Sequence, residues 1–241
     1  VFKVNKVEKT QEDFQFQFRV ILFSPQSLRL ILGSPSRRRA YLNRVLSSVD
    51  FSYYHEHKEY KDVVRNRNKV LWKINEFGSS RKELHYWDKK LYSVGQYITG
   101  KRRTLINDFN QELNELGWQI QLQYKPSILE KELYKGRVEE EIERTTTLWG
   151  PHRDDLHFME EGIDVDFGQD SHGSEVQRNL AIYGSRGEQR EAVFALCLAE
   201  LEVVADRVGE RPIFILDDIF SELDKEHRKK ILEVLPRQQA I

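Results

Sequence analysis

Pro212-Ile213-Phe214-Ile215-Leu216-Asp217-Asp218 decides how the rest of the chain is read. Four consecutive apolar residues after a proline describe a strand covered on both faces, the pattern of parallel sheets. The run ends in two acids. The carboxyl end of such a strand opens on the crevice where open α/β sheets bind ligands. Asp217 is therefore placed to hold a Mg²⁺ ion, through water, and Asp218 to orient or deprotonate an attacking water. Taken alone, two acids after a strand also suit a turn into a capped helix, and that plainer reading comes first.

The neighbouring strings change the weighing. Gly184-Ser185-Arg186-Gly187-Glu188-Gln189-Arg190 opens a helix expected from Glu188 to about Val208. Serine and glycine at a helix N-terminus offer backbone N–H donors, a hydroxyl and the positive end of the dipole, all suited to a phosphate. Downstream stand Ser221-Glu222-Leu223-Asp224 and an amphipathic helix from about Lys225 to Leu235. A serine–glycine helix start, an apolar strand ending in acids and Ser-Glu-Leu-Asp follow the order of the signature, Walker B and D-loop motifs of ABC-type ATPases. The 32 residues from Ser185 to Asp217 leave room for one helix and one turn.

Toward the other end, Phe14 to Leu22 alternates apolar and polar residues, which predicts a half-buried strand stopped at Phe23-Ser24-Pro25. Gly33-Ser34-Pro35-Ser36 is a turn into a helix. Residues 36 to about 147 read as mostly helical, with segments 37–49, 53–77 and 83–116 and a strand over Trp118–Tyr124. After Leu148 short strands and turns run to about Tyr183.

The 241 residues (28.7 kDa) suit one large domain or two small ones. With 39% hydrophobic and 11% aromatic residues, wholesale disorder is excluded. The apolar run Ala192–Ala199 is far short of the roughly 20 residues of a membrane span. One cysteine, Cys197, excludes an internal disulfide framework and, with no apolar leader, points to the cytoplasm. The chain opens on Val1 and its single methionine is Met159, so a piece of a longer protein is expected. The net charge of −1 averages two opposed blocks: +6 over Ser34–Lys73 and −9 over Val138–Asp170. Such asymmetry fits a nucleic-acid face beside a metal or nucleotide site, and equally two solvated helix faces.

Together with these motifs, Phe23-Ser24-Pro25, Gly33-Ser34-Pro35-Ser36-Arg37-Arg38-Arg39, Tyr60 with Arg65-Asn66-Arg67-Asn68, and Gly150-Pro151-His152-Arg153-Asp154-Asp155-Leu156 carry a resemblance across essentially the whole chain. The sequence resembles RecF, a family of bacterial recombination and gap-repair ATPases related to the SMC proteins. The resemblance implies an α/β fold, an ABC-type ATPase head truncated at its N-terminus. Residues 1–33 and 148–241 would form the head and 34–147 an inserted α-helical lobe. It also implies an ATP-dependent homodimer with ATP and Mg²⁺ as cofactors, in which Ser185, Gly187, Gln189, Ser221 and Asp224 reach nucleotide. Its partners would be single-stranded or gapped double-stranded DNA, the RecR and RecO mediators and the RecA recombinase. DNA repair, replication, recombination and the SOS response are the processes implied, and no membrane is involved.

The family's Walker A string would precede the Phe14 strand, and a histidine switch loop would follow Ile241, so neither is expected within this chain. Gly95-Gln96-Tyr97-Ile98-Thr99-Gly100-Lys101 imitates the Walker A spacing, but Arg102 stands where Ser or Thr belongs and no buried strand precedes it. It is a decoy. Arg37, Arg38, Arg39, Arg65 and Arg67 are candidates for DNA phosphate contacts, which need only positive charge and reach. They fit equally as braces between the helices and the acidic block. Gln26 sits where ABC-type ATPases place a loop glutamine sensing metal and γ-phosphate, with a plain turn residue the competing reading. His152–Asp155 with His157 reads as a charged turn before it reads as a metal site, and Cys197 as a packing residue. A nonhydrolysing DNA-binding or interaction module, or another SMC-related ATPase, remains the alternative function.

Overall fold

A computed structural model describes residues 2–4, 6–9, 18–127, 131–161 and 177–217. Its centre is a parallel pair of strands from distant parts of the chain. β3 (Val20–Phe23) pairs with β7 (Ile213–Leu216), Val20 opposite Ile213 and Phe23 opposite Leu216. Before them, β1 (Phe2–Val4) and β2 (Val7–Lys9) form an antiparallel hairpin. Of the expected strand at Phe14–Leu22, residues 14–17 lie outside the described residues. Its end falls where the proline predicts: Pro25–Leu28 is a 3-10 turn, followed by α1 (Arg29–Leu32).

Three helices then run almost without interruption: α2 (Pro35–Val49), α3 (Phe51–Phe77) and α4 (Lys82–Glu115). Proline at the first position of α2 is free of cost, because that N–H has no intrahelical partner. Asp50 caps α3 by accepting the Tyr53 N–H at 2.9 Å, and Gly78, at φ 61°, ends it in the left-handed region. The expected segments 37–49, 53–77 and 83–116 are these helices. The decoy glycine–lysine string lies wholly inside α4, so no phosphate loop forms there.

Beyond α4, β4 (Ile120–Lys125) pairs antiparallel with β5 (Asp155–Glu161), which pairs antiparallel with β6 (Gln177–Asn179). β4 belongs to the 34–147 segment and β5 to the 148–241 segment, so this sheet crosses that division. α5 (Lys131–Glu143) lies between β4 and β5, and α6 (Leu180–Tyr183) leads into α7 (Arg186–Val208). The expected helix from Lys225 falls outside the described residues.

α7 covers the parallel pair. Phe194 meets Phe23 edge-on, ring centroids 5.3 Å apart, and stacks on Phe214 at 6.3 Å. Each such ring, fully buried, stabilises the fold by about 1.5–3 kcal/mol. Cys197 is buried in this layer, as expected of a packing residue. One core cluster runs from Ile21 and Phe23 through Leu42, Tyr53, Leu91 and Phe109 to Phe158, Phe194 and Phe214. A second, built on Val70, Leu71, Ile74, Leu84, Val138 and Ile142, joins α3 and α4 to α5. Among the described residues no helix is long and apolar enough to cross a membrane.

Candidate functional site

The carboxyl end of the parallel pair presents Asp217. Its backbone N–H donates to the Phe23 carbonyl at 2.9 Å, which sets Asp217 level with Ser24. Its side chain is exposed. Ser24 is buried and its N–H donates to Ser27 Oγ at 3.1 Å, which tightens the turn and leaves Gln26 exposed upon it. Gln26 and Asp217 thus belong to one end of one strand pair. A carboxylate and an amide oxygen are the hard donors a divalent cation such as Mg²⁺ takes, so the residues present fit that ion. Asp218, Ser221 and Asp224 lie outside the described residues.

Ser185 is the N-cap of α7. Its hydroxyl accepts the Glu188 N–H at 3.3 Å, and Glu188 accepts the Ser185 N–H at 2.7 Å, forming a reciprocal capping box. Arg178 of β6 donates to Glu188 at 2.6 Å and fixes the box to the antiparallel sheet. The backbone bond from Ser185 and this arginine hold the Glu188 carboxyl below its ordinary pKa. Gly187 is exposed, with only Ser185 Oγ near the place a Cβ would occupy. Among the described residues no hydrogen bond or ion pair joins Ser185 or Gly187 to Gln26 or Asp217.

Gln189 faces inward. It is 5% exposed, and its Nε2 donates to the Leu180 carbonyl at 2.8 Å and the Gly184 carbonyl at 3.1 Å. Both amide hydrogens are spent on the turn before α7. A buried amide used in this way braces the loop.

The basic block divides in the same manner. Arg67 is wholly buried; it donates to Asp88 at 2.8 Å, Glu141 at 2.5 Å and Thr147 at 2.9 Å, and lies over the Trp149 ring. Arg38 is 8% exposed and grips Asp155 with two bonds, at 2.7 and 3.0 Å, and the Gly33 carbonyl with a third. Burial pushes the Asp155 carboxyl up, but Arg38, the Leu156 N–H and His157 together reverse this and leave it below the ordinary range. In these positions both arginines brace buried or half-buried acids, the alternative weighed against DNA contact. Arg37 and Arg65 are exposed, and Arg39 is half-buried with one bond to the Asp154 carbonyl at 2.8 Å. These three keep a face to solvent.

The string Gly150–Asp155 acquires a role that its sequence did not disclose. Asp154, 1% exposed, accepts from Arg102 at 2.7 Å, from the Ser127 N–H at 2.7 Å and from the Tyr124 hydroxyl. Arg102, in the middle of α4, also donates to the Pro151 carbonyl and to Asn43 of α2. Burial by itself would lower the Arg102 pKa; Tyr53, Tyr124 and Asp154 outweigh it and hold the guanidinium charged. Tyr60 and His152 Nδ1 stand 2.7 Å apart, and His152 Nε2 lies 3.0 Å from the Thr147 carbonyl. A carbonyl can only accept, so Nε2 carries the proton and Nδ1 takes the tyrosine hydroxyl. Gly150 sits at φ 110°, and a Cβ there would meet the Tyr60 hydroxyl at 2.5 Å. Among the described residues no cluster of metal-ligating side chains forms here. The only advance sign of Arg102 was its place at the failed end of the decoy string.

A parallel strand pair ending in an acid, covered by a serine-capped helix and carrying a bundle of long helices, defines an α/β ATPase head of the ABC type with a helical lobe. No protein-family model matches the chain. A DNA replication and repair protein RecF from Herpetosiphon aurantiacus is 33% identical over 252 residues, covering 98% of this chain and 62% of its own length. Its counterpart from Ligilactobacillus salivarius is 32% identical over 255 residues, covering 97% and 63%. Two solved structures, described as the recombination mediator protein RecF-ATPrS and RecF-ATP in the RecFOR pathway, align with TM-scores of 0.76 and 0.73. They are 28% and 29% identical and cover 99% and 93% of this chain, and 65% and 61% of theirs. The chain belongs to the RecF family, and it spans 62–63% of the length of these two curated relatives.

Proposed function

We propose that the chain is the nucleotide-responsive body of a RecF-type protein of recombinational DNA repair. The observation that carries the reading is Asp217, exposed at the carboxyl end of the β3–β7 pair with no side-chain partner among the described residues, and Gln26 on the adjoining turn. The likeness to structures described with ATP supports it. In this reading residues 1–33 and 148–241 make the head and 34–147 the lobe. Asp217 and Gln26 would hold Mg²⁺, which would supply positive charge to the phosphates of ATP, and Asp218 would orient the attacking water. Ser185 and Gly187, with Ser221 and Asp224, meet the nucleotide of a second copy, so that ATP closes a homodimer. Arg37, Arg39 and Arg65 contact phosphates of gapped DNA. ATP binding keeps the dimer on the DNA and hydrolysis releases it, with RecR, RecO and RecA as partners and the cytoplasm as the place.

The test is Asp218→Asn in the full-length protein. Turnover should fall by about a hundredfold or more, the scale of a lost general base, while ATP still binds. Turnover equal to that of the native protein would remove Asp218, and with it the hydrolytic reading of this sheet end. A chain that binds DNA and no nucleotide would favour the nonhydrolysing module.

A further inference from the structure

A cavity of about 720 Å³ opens between α2 and α3 above α4, away from the sheet end. Four cations line it: Arg39 of α2, Lys61 and Arg65 of α3, and Arg102 of α4. His57, His152, Tyr60, Ser36, Asn43 and Asn68 add further polar groups, and no carboxylate is among the lining residues. Among the described residues Lys61 has no carboxylate partner, and Arg65 has only the exposed, three-residue-spaced contact with Asp62, a kind that is readily given up. Arg39 donates to a backbone carbonyl rather than to an acid.

We propose that this cavity binds a phosphate monoester, the terminal phosphate of a nucleic-acid strand or of a nucleotide. The proposal deepens the reading of Arg39 and Arg65 as phosphate contacts, and rests on it.

Three groups around the cavity have lowered pKa values, with burial the first cause and neighbouring cations adding to it. Burial, then Lys61 and Arg102, push His57 down to about 4. Burial lowers Arg39 as well, with Arg102 as the next cause. His152 is likewise near 4, from burial first, with Arg153 and Arg39 adding to it. Beneath them the buried Nε of Arg102 has no hydrogen-bond acceptor, although the other two guanidinium nitrogens are satisfied. Arg102 keeps its pair with Asp154. Lys61 and Arg39, however, have no acid partner among the described residues, and Arg65 has only a surface one. Cations so placed are what an anion stabilises on binding. A monoester brings up to two charges and three unesterified oxygens, which suits four cations better than the single charge and two oxygens of a diester inside a strand.

The experiment is isothermal titration of the 241-residue chain with sodium phosphate, with thymidine monophosphate, and with a short single strand bearing either a 5′-phosphate or a 5′-hydroxyl. The phosphorylated strand should bind about tenfold more tightly than its hydroxyl twin, the scale of one charge-assisted contact. That ratio should approach one in the Lys61→Gln/Arg65→Gln double variant. Both residues are exposed, so folding is preserved, and Lys69→Gln, exposed on α3 but outside the cavity, should keep the ratio. Thymidine monophosphate matching the phosphorylated strand would identify a nucleotide as the source; a tighter strand would identify a strand end. A ratio of one in the native chain, with no saturable phosphate binding, overturns the proposal. If duplex affinity still falls in Arg37→Gln, the wider DNA reading survives that result; if duplex affinity ignores Arg37, Arg39 and Arg65 alike, both fail.

Discussion

Asp154 is 1% exposed and takes three donors, from Arg102, Ser127 and Tyr124. Asp217 is exposed, and among the described residues its carboxylate takes none. The first is at the junction of α2, α4 and the β4–β5 sheet; the second ends the parallel pair. A carboxylate surrounded by its own protein's donors is a fixed part of the fold, because every lone pair it exposes on moving costs desolvation. A carboxylate left unpaired at a strand end has its interactions still to make, and a ligand can supply them. The same division separates Arg38 and Arg67 from Arg37, and from Arg65, whose partner Asp62 is itself exposed. Charge alone does not distinguish these groups; whether it is already paired within the fold does.

The largest effect should come from the junction. Asp154→Ala leaves Arg102 buried without its acid, and breaking a buried pair from one side costs about 3–5 kcal/mol. For a chain of this size that lowers the melting temperature by about 6–20 °C, using the usual 2–4 °C per kcal/mol. Replacing both partners, Asp154→Leu with Arg102→Met, should recover much of the loss. Asp217→Ala should stay within about 0.5 kcal/mol of the native chain. If urea unfolding ranks the two single variants equally, the contrast between them is wrong.

A smaller effect is expected with pH. In the folded chain His57 and His152 hold pKa values of about 4, against 6.5 for a free imidazole, with burial the first cause for each. Between those values the unfolded chain binds protons that the folded chain refuses. Their contribution is therefore complete above about pH 6.5 and is lost as pH falls toward 4. Unfolding free energies at pH 4.5, 5.5 and 6.5 should rise with pH, and His57→Gln should flatten part of that slope. An unaltered slope in His57→Gln would mean that the cavity wall is as wet as the surface.

The periodic parts of the sequence carried most of the fold. Long amphipathic helices announce themselves by spacing, so α2, α3, α4 and α7 lie where their apolar residues recur, within the two or so residues that end-fraying allows. The parallel pairing of β3 with β7 has no local signal, since Val20 and its partner Ile213 are 193 positions apart. The roles of Gln189, Arg38, Arg67 and Asp154 were not legible, and for one reason. Whether a polar side chain is spent or free depends on which elements pack across it, and Arg102 and Asp154 are 52 residues apart. The string Gly150–Asp155 could be singled out as a string. That Gly150 is required by the Tyr60 hydroxyl, 90 residues earlier, could only emerge once α3 was laid beside it.

The comparison is finest at Arg37 and Arg38, neighbours in the first turn of α2. A helix rotates about 100° per residue, so adjacent side chains face different surroundings: Arg38 turns inward to Asp155, while Arg37 is exposed with no ion pair among the described residues. Arg37→Gln removes a charge that the fold does not use, so its stability should remain within about 0.5 kcal/mol of the native chain. Its consequence should lie in binding instead. Each phosphate contact releases about one counterion, so the dependence of duplex affinity on salt should weaken by about one unit of log–log slope. Arg38→Gln should behave in the opposite way, destabilising the fold without altering that slope in the molecules that remain folded. A salt slope that drops in Arg38→Gln and holds in Arg37→Gln would reverse the assignment, and would mean that the DNA-bound chain opens the Arg38–Asp155 pair.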